Sequence, residues 1–135
     1  MITQRTPVLV DCDTGIDDAM ALLFLLASDG VEIVGITSVF GNNTAAQCAM
    51  NSLRVLELAG HTDIPVAIGA EKPIVGEVTY LATHVHGSDG LGDAGLPVDV
   101  AAQPSTKNAR PCMEIDNCPQ FGGQAVGSSS AIPVK

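Results

Sequence analysis

PVLVDCDTGIDDA, residues 7–19, is the stretch that decides the fold of this chain. It starts with an apolar run, residues 7–10, which is typical of a short buried β-strand. Four carboxylates follow within eight residues, at Asp11, Asp13, Asp17 and Asp18. From Ala19 to Ala27 the sequence is apolar again and predicts a helix. A strand, an acidic turn and a helix in succession place the carboxylates at the carboxyl end of a strand, where open α/β sheets bind ligands.

The four carboxylates need an explanation, because like charges this close repel one another. A hard divalent cation would relieve that repulsion, since Ca²⁺ and Mg²⁺ take oxygen ligands. The exposed N–H groups and the dipole of a helix N-terminus favour acidic side chains, and this explains Asp17 and Asp18 without a metal. It does not explain Asp11 and Asp13, which end a buried strand. The sequence therefore points to a metal or catalytic role for part of the turn.

The elements that follow repeat the alternation of strand and helix. Residues 31–39 are rich in β-branched side chains and predict a second strand. Asn43 or Thr44 can cap a helix over residues 45–59, and a short third strand is expected over residues 65–68. This order predicts an open, parallel, Rossmann-like α/β sheet with flanking helices and right-handed crossovers.

The same order predicts which parts of the chain meet. The strand tips at residues 11–18, at residues 40–44 and from residue 69 onward are expected at one edge of the sheet. Because the first helix is apolar nearly all round, we expect it to be buried on more than one side.

The second half of the chain changes character. Residues 69–97 carry few apolar runs, and a loop this long is usually functional or disordered. Four of the eight prolines lie in residues 98–135, where no helical or strand period is sustained. The sequence therefore predicts one domain over residues 1–97 and a divergent, disordered tail over residues 98–135.

Composition narrows the classes of partner. The 135 residues are 46% hydrophobic and 16% charged, and the formal net charge is −9. This balance argues against nucleic acid and anionic membrane surfaces as partners, since both require clustered Lys and Arg. The polar N-terminus and the lack of a membrane-length apolar segment favour a cytoplasmic protein. The four cysteines form no C-x-x-C pair, and Cys12 and Cys48 are expected to be small core residues.

Four segments, taken in order, resemble the nucleoside hydrolases of the inosine–uridine-preferring group. Residues 10–19 are similar to the family signature D-x-D-P-G-x-D-D, with Thr14 where proline is more usual. The other three segments are residues 35–42, 64–69 and 84–92. The resemblance covers residues 7 to about 97, whereas family members are much longer. This difference suggests a truncated or alternatively ended product.

The resemblance implies Ca²⁺-dependent hydrolysis of the N-glycosidic bond of ribonucleosides to free base and ribose. Asp13 would be the general base and also a Ca²⁺ ligand, together with Asp18. Asp11 would orient the acidic turn from outside the ligand shell. These roles suit the reaction, because cleavage through a sugar cation needs carboxylates and an activated water.

The resemblance also implies a binding site for the nucleoside substrate. Asp17 and Asn42 would contact the ribose hydroxyls, and His86 would lie near the base. On position alone, a histidine in a loop is more often a solvated side chain than a catalytic one. The residues that would choose the nucleobase lie largely in parts of the family that have no counterpart here.

Two other metal-dependent classes share part of the pattern. A phosphatase of the haloacid dehalogenase type also has D-x-D after its first strand and uses Mg²⁺, but it has Thr or Val where this chain has Gly15. An EF-hand loop requires Gly and Glu where this chain has Ile16 and Leu22. Neither class explains the pair Asp17-Asp18 that follows a buried strand.

A third alternative is that the chain turns nothing over. Half a parallel sheet exposes an edge strand and an apolar helix face. Such a chain could act as a catalytically inactive isoform or fragment that binds ribosides or a partner, and it could form a homo-oligomer through that surface.

Overall fold

A computed structural model describes residues 4–78, 80–97 and 99–105. Within these residues three strands alternate with three helices, namely β1 Thr6–Cys12, α1 Ile16–Leu26, β2 Val31–Ser38, α2 Ala45–Leu58, β3 Val66–Ile68 and α3 Thr83–His86. The strands form one parallel sheet in the order β1-β2-β3. The predicted open, parallel α/β sheet is confirmed. The long strands and helices also end close to where the sequence places them.

β1 and β2 pair along the whole of β1, with one irregularity. Val8 lies opposite Ile33, but Leu9 lies opposite Gly35, so Val34 has no counterpart on β1. An extra residue of this kind is a β-bulge, which locally bends and twists the strand that carries it. Beyond the bulge, Asp11 pairs with Thr37. The acidic turn and the tip of β2 therefore leave the sheet side by side.

The hydrophobic core lies between α2 and the sheet. Its buried members share contacts across this layer and are Cys12, Leu22, Ile33, Ile36, Ala49, Leu53, Val55, Leu56 and Val66. α2 starts at a capped end, because the Gln47 N–H donates to Thr44 Oγ1 at 3.2 Å. Of the two residues predicted as possible caps, Thr44 is therefore the one that serves. α2 is therefore the most buried of the three described helices.

α1 is packed on one side only. Leu22 is 1% exposed, whereas Met20 and Phe24 are 69% and 74% exposed. The expectation that this helix is buried on more than one side is wrong for the described structure, because α1 packs against β2 and α2 and no described element covers the face that carries Met20 and Phe24. Although α1 is apolar, its 11 residues are too few to span a membrane. No helix in the described residues has the length and hydrophobicity needed to cross a membrane.

Residues 99–105 lie against the domain. Ser105 forms a parallel bridge with Ala67 of β3, and the Ala101 N–H donates to Glu57 Oε2 at 3.0 Å. The tail predicted from residue 98 thus begins with a segment that packs on β3 and α2. Its continuation over residues 106–135 lies outside the described residues, and the domain boundary at residue 97 stays a prediction.

The two described cysteines are free and buried, as the sequence predicted. Burial is the main cause that raises the pKa of Cys48 to about 11, and it also raises the pKa of Cys12 above its ordinary value. Both thiols are therefore protonated near neutral pH and behave as small core groups.

Candidate functional site

The acidic turn, defined here as residues 13–18, joins β1 to α1 at the carboxyl edge of the sheet. Gly15 stands at its centre in an extended conformation, with φ −108° and ψ −161°. A Cβ atom at Gly15 would lie 2.5 Å from Asn42 Nδ2 and 2.6 Å from His86 Nδ1. Glycine is thus required for close approach rather than for a left-handed turn. Its missing side chain lets the Asn42 and His86 side chains both approach the backbone of the turn.

Asp13 is held against the tip of β2. Its Oδ2 atom accepts a hydrogen bond from the Asn42 N–H at 2.8 Å, and its carbonyl oxygen accepts one from Asn42 Nδ2 at 3.0 Å. A Cβ atom at Gly41 would collide with the Asp13 carboxylate. Asp13 therefore fills space that only glycine leaves open, and Asn42 fixes the orientation of its carboxylate.

Asp18 lies in the first turn of α1, and its Oδ2 atom is buried without a hydrogen-bond partner. Burial is the main cause that raises the pKa of Asp18, and the negative charges of Asp13 and Asp17 raise it further. A backbone hydrogen bond at Gly15 opposes that rise. A buried oxygen without a partner, beside a second carboxylate, is unfavourable unless a cation or a proton joins it.

The chemistry of Asp13 and Asp18 fits a hard cation, because both supply carboxylate oxygens at one place. Their number is small for such a site. In the part of the chain that the structure describes, no group of three or more His, Cys, Asp or Glu side chains converges on a metal position. Further ligands would have to come from water, substrate, backbone or residues outside that part.

His86 lies at the N-terminus of α1, beside Asp17. Its Nδ1 atom accepts a hydrogen bond from the Ile16 N–H at 3.2 Å and lies 3.8 Å from Asp17 Oδ1. In this arrangement the neutral ring carries its proton on Nε2. The His86 side chain is 13% exposed and that of Asp17 is 79% exposed. His86 is therefore built into the turn, while Asp17 faces the solvent at its rim.

Asp11 and His84 lie apart from this cluster. Asp11 is exposed, and its Oδ1 atom accepts a hydrogen bond from Thr37 Oγ1 at 2.6 Å. His84 is exposed and lies against Tyr80, with 5.5 Å between the ring centroids. The structure thus gathers Asp13, Asp17, Asp18, Asn42 and His86 at the edge, and it ties Asp11 to β2.

Three buried polar residues behind the turn were not recognised from the sequence. The Thr14 and Ser52 hydroxyls are hydrogen-bonded at 2.7 Å, and Ser52 Oγ donates to the Cys48 carbonyl at 3.1 Å. Asn51 Nδ2 donates to the Thr14 carbonyl at 3.2 Å. The available signal was the pair Asn51-Ser52, which interrupts the apolar face of α2. Thr14, standing where proline is more usual, gains a side-chain tether to α2.

The loop that carries His86 is also ordered by its own side chains. Asp93 Oδ1 accepts hydrogen bonds from the Ser88 N–H at 2.9 Å, from Ser88 Oγ at 2.7 Å and from the Asp89 N–H at 3.2 Å. The Ser88 hydroxyl is the main cause that lowers the pKa of Asp93. The Gly92 N–H donates to the His86 carbonyl at 2.7 Å. The histidine is therefore held by a closed loop rather than by a free segment.

The parallel sheet thus carries a carboxylate pair, an asparagine and a histidine at its carboxyl edge. The family described as inosine-uridine preferring nucleoside hydrolase matches residues 8–126, and the chain belongs to that family. The resemblance inferred from the four sequence segments is thereby confirmed.

Individual relatives cover most of this chain but much less of their own length. The probable uridine nucleosidase 1 of Oryza sativa subsp. japonica is 39% identical over 121 residues, which are 90% of this chain and 37% of the relative. A pyrimidine-specific ribonucleoside hydrolase of Escherichia coli is 39% identical over 125 residues, with 84% of this chain and 40% of the relative covered.

A solved structure shows the same relationship. A plant nucleoside hydrolase superposes with a TM-score of 0.72 at 37% identity, over 78% of this chain and 33% of its own. The chain thus spans two fifths or less of the length of these relatives.

Proposed function

We propose that this site acts in the hydrolysis of the N-glycosidic bond of ribonucleosides, which releases the free base and ribose. The observation that carries the proposal is the oriented Asp13 carboxylate beside the buried, unpartnered Oδ2 atom of Asp18. The names of the relatives, which include uridine nucleosidase and pyrimidine-specific ribonucleoside hydrolase, support nucleosides as the substrate class.

Asp13 is proposed as the general base. Glycosidic cleavage passes through a sugar cation, so the reaction needs a carboxylate that takes a proton from the attacking water. The hydrogen bond from the Asn42 N–H to Asp13 Oδ2 holds that carboxylate in one orientation. A fixed base raises the rate, because the reacting groups meet without a further loss of orientational freedom.

Asp13 and Asp18 are proposed to hold Ca²⁺. The support is the buried Asp18 Oδ2 atom, which has no hydrogen-bond partner, and its closeness to the Asp13 carboxylate, whose negative charge is one cause that raises the Asp18 pKa. When bound, the cation lowers the pKa of a coordinated water and so eases its deprotonation. Ca²⁺ takes about 6–8 oxygen ligands, so two carboxylates hold it only loosely unless other groups complete the shell.

Asp17, Asn42 and His86 are proposed to bind the nucleoside. Asp17 is exposed at the rim of the turn, where its carboxylate can accept hydrogen bonds from ribose hydroxyls. The Asn42 side chain lies between Asp13 and the position above Gly15. His86 carries its N–H on Nε2 because Nδ1 is occupied by the Ile16 N–H, and this leaves a donor to offer to the base.

The second candidate is a chain that binds without turnover. It is favoured by the small ligand set, since the described residues bring no third acidic, histidine or cysteine ligand to the carboxylate pair. Because the described ligand set is small, we propose that any hydrolysis of nucleosides by this chain is far slower than that by the longer relatives. The cytoplasmic location and the homo-oligomer considered from the sequence stay predictions.

Ribose release from uridine and inosine tests the proposal, with Ca²⁺ or with a chelator present. We expect slow release that Asp13→Asn lowers by at least about 100-fold, which is the contribution typical of a positioned base. Asp29→Asn is the matched control, because Asp29 is an exposed aspartate just beyond α1 and outside the site.

Calorimetric titration of Ca²⁺, with and without ribose, is combined with the ribose-release assay on the same sample to separate the two candidates. Cation binding without ribose release would favour the binding-only candidate. Release that continues undiminished in Asp13→Asn would refute the proposed role of this residue.

A further inference from the structure

We propose that Asn51 is a positioning residue that locks the acidic turn to the histidine loop, which we define as residues 86–93. The two segments are far apart in the sequence, and α2 lies behind both of them. The consequence for catalysis depends on the proposed function, whereas the mechanical coupling does not.

The amide of Asn51 makes a complete set of hydrogen bonds. Its Nδ2 atom donates to the Thr14 carbonyl at 3.2 Å and to the Asp89 carbonyl at 2.9 Å. Its Oδ1 atom accepts from Gln47 Nε2 at 3.0 Å and from Arg54 Nη1 at 3.1 Å. Two donors and two acceptor lone pairs are all that a side-chain amide has. The orientation is therefore fixed, because a flipped amide would face two carbonyls with its oxygen.

Asn51 also stands on the helix that contributes most of its residues to the buried interior. Its exposure is 0%, and Leu53, Val55 and Leu56 on the same helix belong to the core. A buried amide that loses its partners pays a full desolvation penalty, so opening either loop away from Asn51 is unfavourable. The core thus holds one rigid group, to which both loops are attached.

Ser52 and Asn43 each bond to only one of the two segments, the acidic turn or the histidine loop. The Ser52 hydroxyl bonds to the Thr14 side chain in the acidic turn. Asn43 Nδ2 donates to the Ser88 carbonyl in the histidine loop at 3.0 Å. Asn51 alone, of these three, bonds to both. This difference gives the proposal two matched controls.

The coupling bears directly on the site. Thr14 follows Asp13 in the chain, and the loop that contains Asp89 is closed by the hydrogen bond from the Gly92 N–H to the His86 carbonyl. Holding Thr14 and Asp89 at one amide keeps His86 against the Ile16 N–H and beside Asp17. Asn51 touches no reacting group in this arrangement, so its role is positional.

Amide hydrogen exchange of the whole chain tests the coupling without any need for turnover. In Asn51→Ala we expect exchange to rise at least about tenfold in both the acidic turn and the histidine loop. In Ser52→Ala it should rise in the acidic turn alone, and in Asn43→Ala in the histidine loop alone. A rise confined to one loop in folded Asn51→Ala would overturn the proposal.

A second variant keeps the test decisive if Asn51→Ala does not fold. A Cβ atom at Gly90 would lie 2.7 Å from Asn51 Nδ2, so Gly90→Ala pushes on the amide from the histidine loop. Gly95→Ala is its control, since Gly95 has a similar positive φ of 69° and no atom within 4 Å of the added Cβ. We expect Gly90→Ala, but not Gly95→Ala, to raise exchange in the acidic turn.

Ribose release separates this proposal from the proposed function. If the wild-type chain turns over, Asn51→Ala should lower kcat by about 10- to 100-fold with a smaller effect on KM, because a misplaced base loses alignment. If the wild-type chain releases no ribose, the proposed function fails while exchange still decides the coupling. Exchange in the acidic turn that is unchanged in both Asn51→Ala and Gly90→Ala would exclude the coupling.

Discussion

α1 is the more apolar helix in sequence but the less buried one in the structure, and α2 shows the reverse. α1 has the sequence IDDAMALLFLL and is the more apolar helix, yet Leu22 is its one buried residue. α2 carries Asn51, Ser52 and Arg54, yet eight of its 14 residues are buried. The depth at which a helix lies is therefore set by the elements around it. α2 packs against β2, β3, α1 and residues 99–105, whereas α1 packs against β2 and α2.

The two helices also contribute differently to the site. α1 presents Asp17 and Asp18 in its first turn, where the helix dipole favours them. α2 presents no acidic group there and instead bonds to the backbone and side chain of Thr14 from behind. One helix supplies the charged groups, and the other holds the turn that carries them.

The largest expected effect concerns burial. Leu56→Ala in α2 should lower the free energy of unfolding by about 2–5 kcal/mol, because it leaves a cavity in the core. Leu56 is 1% exposed and Phe24 is 74% exposed, so Phe24→Ala in α1 should change stability by no more than about 0.5 kcal/mol. Urea unfolding of both variants measures the contrast. Similar losses in the two variants would show that the outer face of α1 is covered in solution.

An intermediate effect concerns the polar tether from α2. Thr14→Val keeps the shape of the buried side chain but removes the hydroxyl that bonds to Ser52. We expect a loss of about 1 kcal/mol, since Ser52 Oγ keeps its bond to the Cys48 carbonyl. Thr14→Ser, which retains the hydroxyl, should recover part of this loss in the same urea titration. Unchanged stability in Thr14→Val, together with a loss in Thr14→Ser, would assign the role of Thr14 to packing rather than to the hydroxyl.

The smallest effect concerns the charge on α1. The pKa of Asp18 is raised above its ordinary value of 3.8, chiefly by burial. Its contribution to stability is therefore fully present below that value and is lost as the pH rises through the folded-state pKa. Without Ca²⁺, Asp18→Asn should raise the urea midpoint at pH 7 and leave it unchanged at pH 3.

Added Ca²⁺ should reverse the sign of that change at pH 7, because the proposed ligand would be lost. Asp29→Asn, which alters an exposed carboxylate, should show neither effect. A midpoint that Asp18→Asn lowers equally at both pH values would contradict the account of this buried group.

The sequence was sufficient for those features that depend on local pattern. The β-branched run of β2, the Thr44 cap and Gly60 after α2 define strand and helix ends by short-range physics. The meeting of Asp13 with Asn42 follows from parallel topology, which brings the strand tips to one edge, whereas the strand order was not predicted. The roles of these residues in metal and nucleoside binding stay predictions.

What the sequence could not supply depends on contacts between distant residues. The exposure of Phe24 reflects which elements flank α1, and a helical period cannot reveal that. Asn51 is an ordinary polar residue in a helix until the Thr14 and Asp89 carbonyls are brought to its amide. The space that Gly15 leaves for Asn42 and His86 is likewise defined by three separate segments.

The bulge at Val34 determines how residues at the end of β2 align with the acidic turn. Successive residues along a strand are about 3.3 Å apart and point to opposite faces. One unpaired residue therefore shifts the pairing of every later residue of that strand by one position. Val34 thereby sets which residues of β2 stand level with the acidic turn. If it were deleted, Asn42 would arrive one step out of phase with the Asp13 carboxylate. The length of this segment of β2, which lies outside the site, thus sets the distance between the Asp13 carboxylate and the Asn42 N–H that orients it.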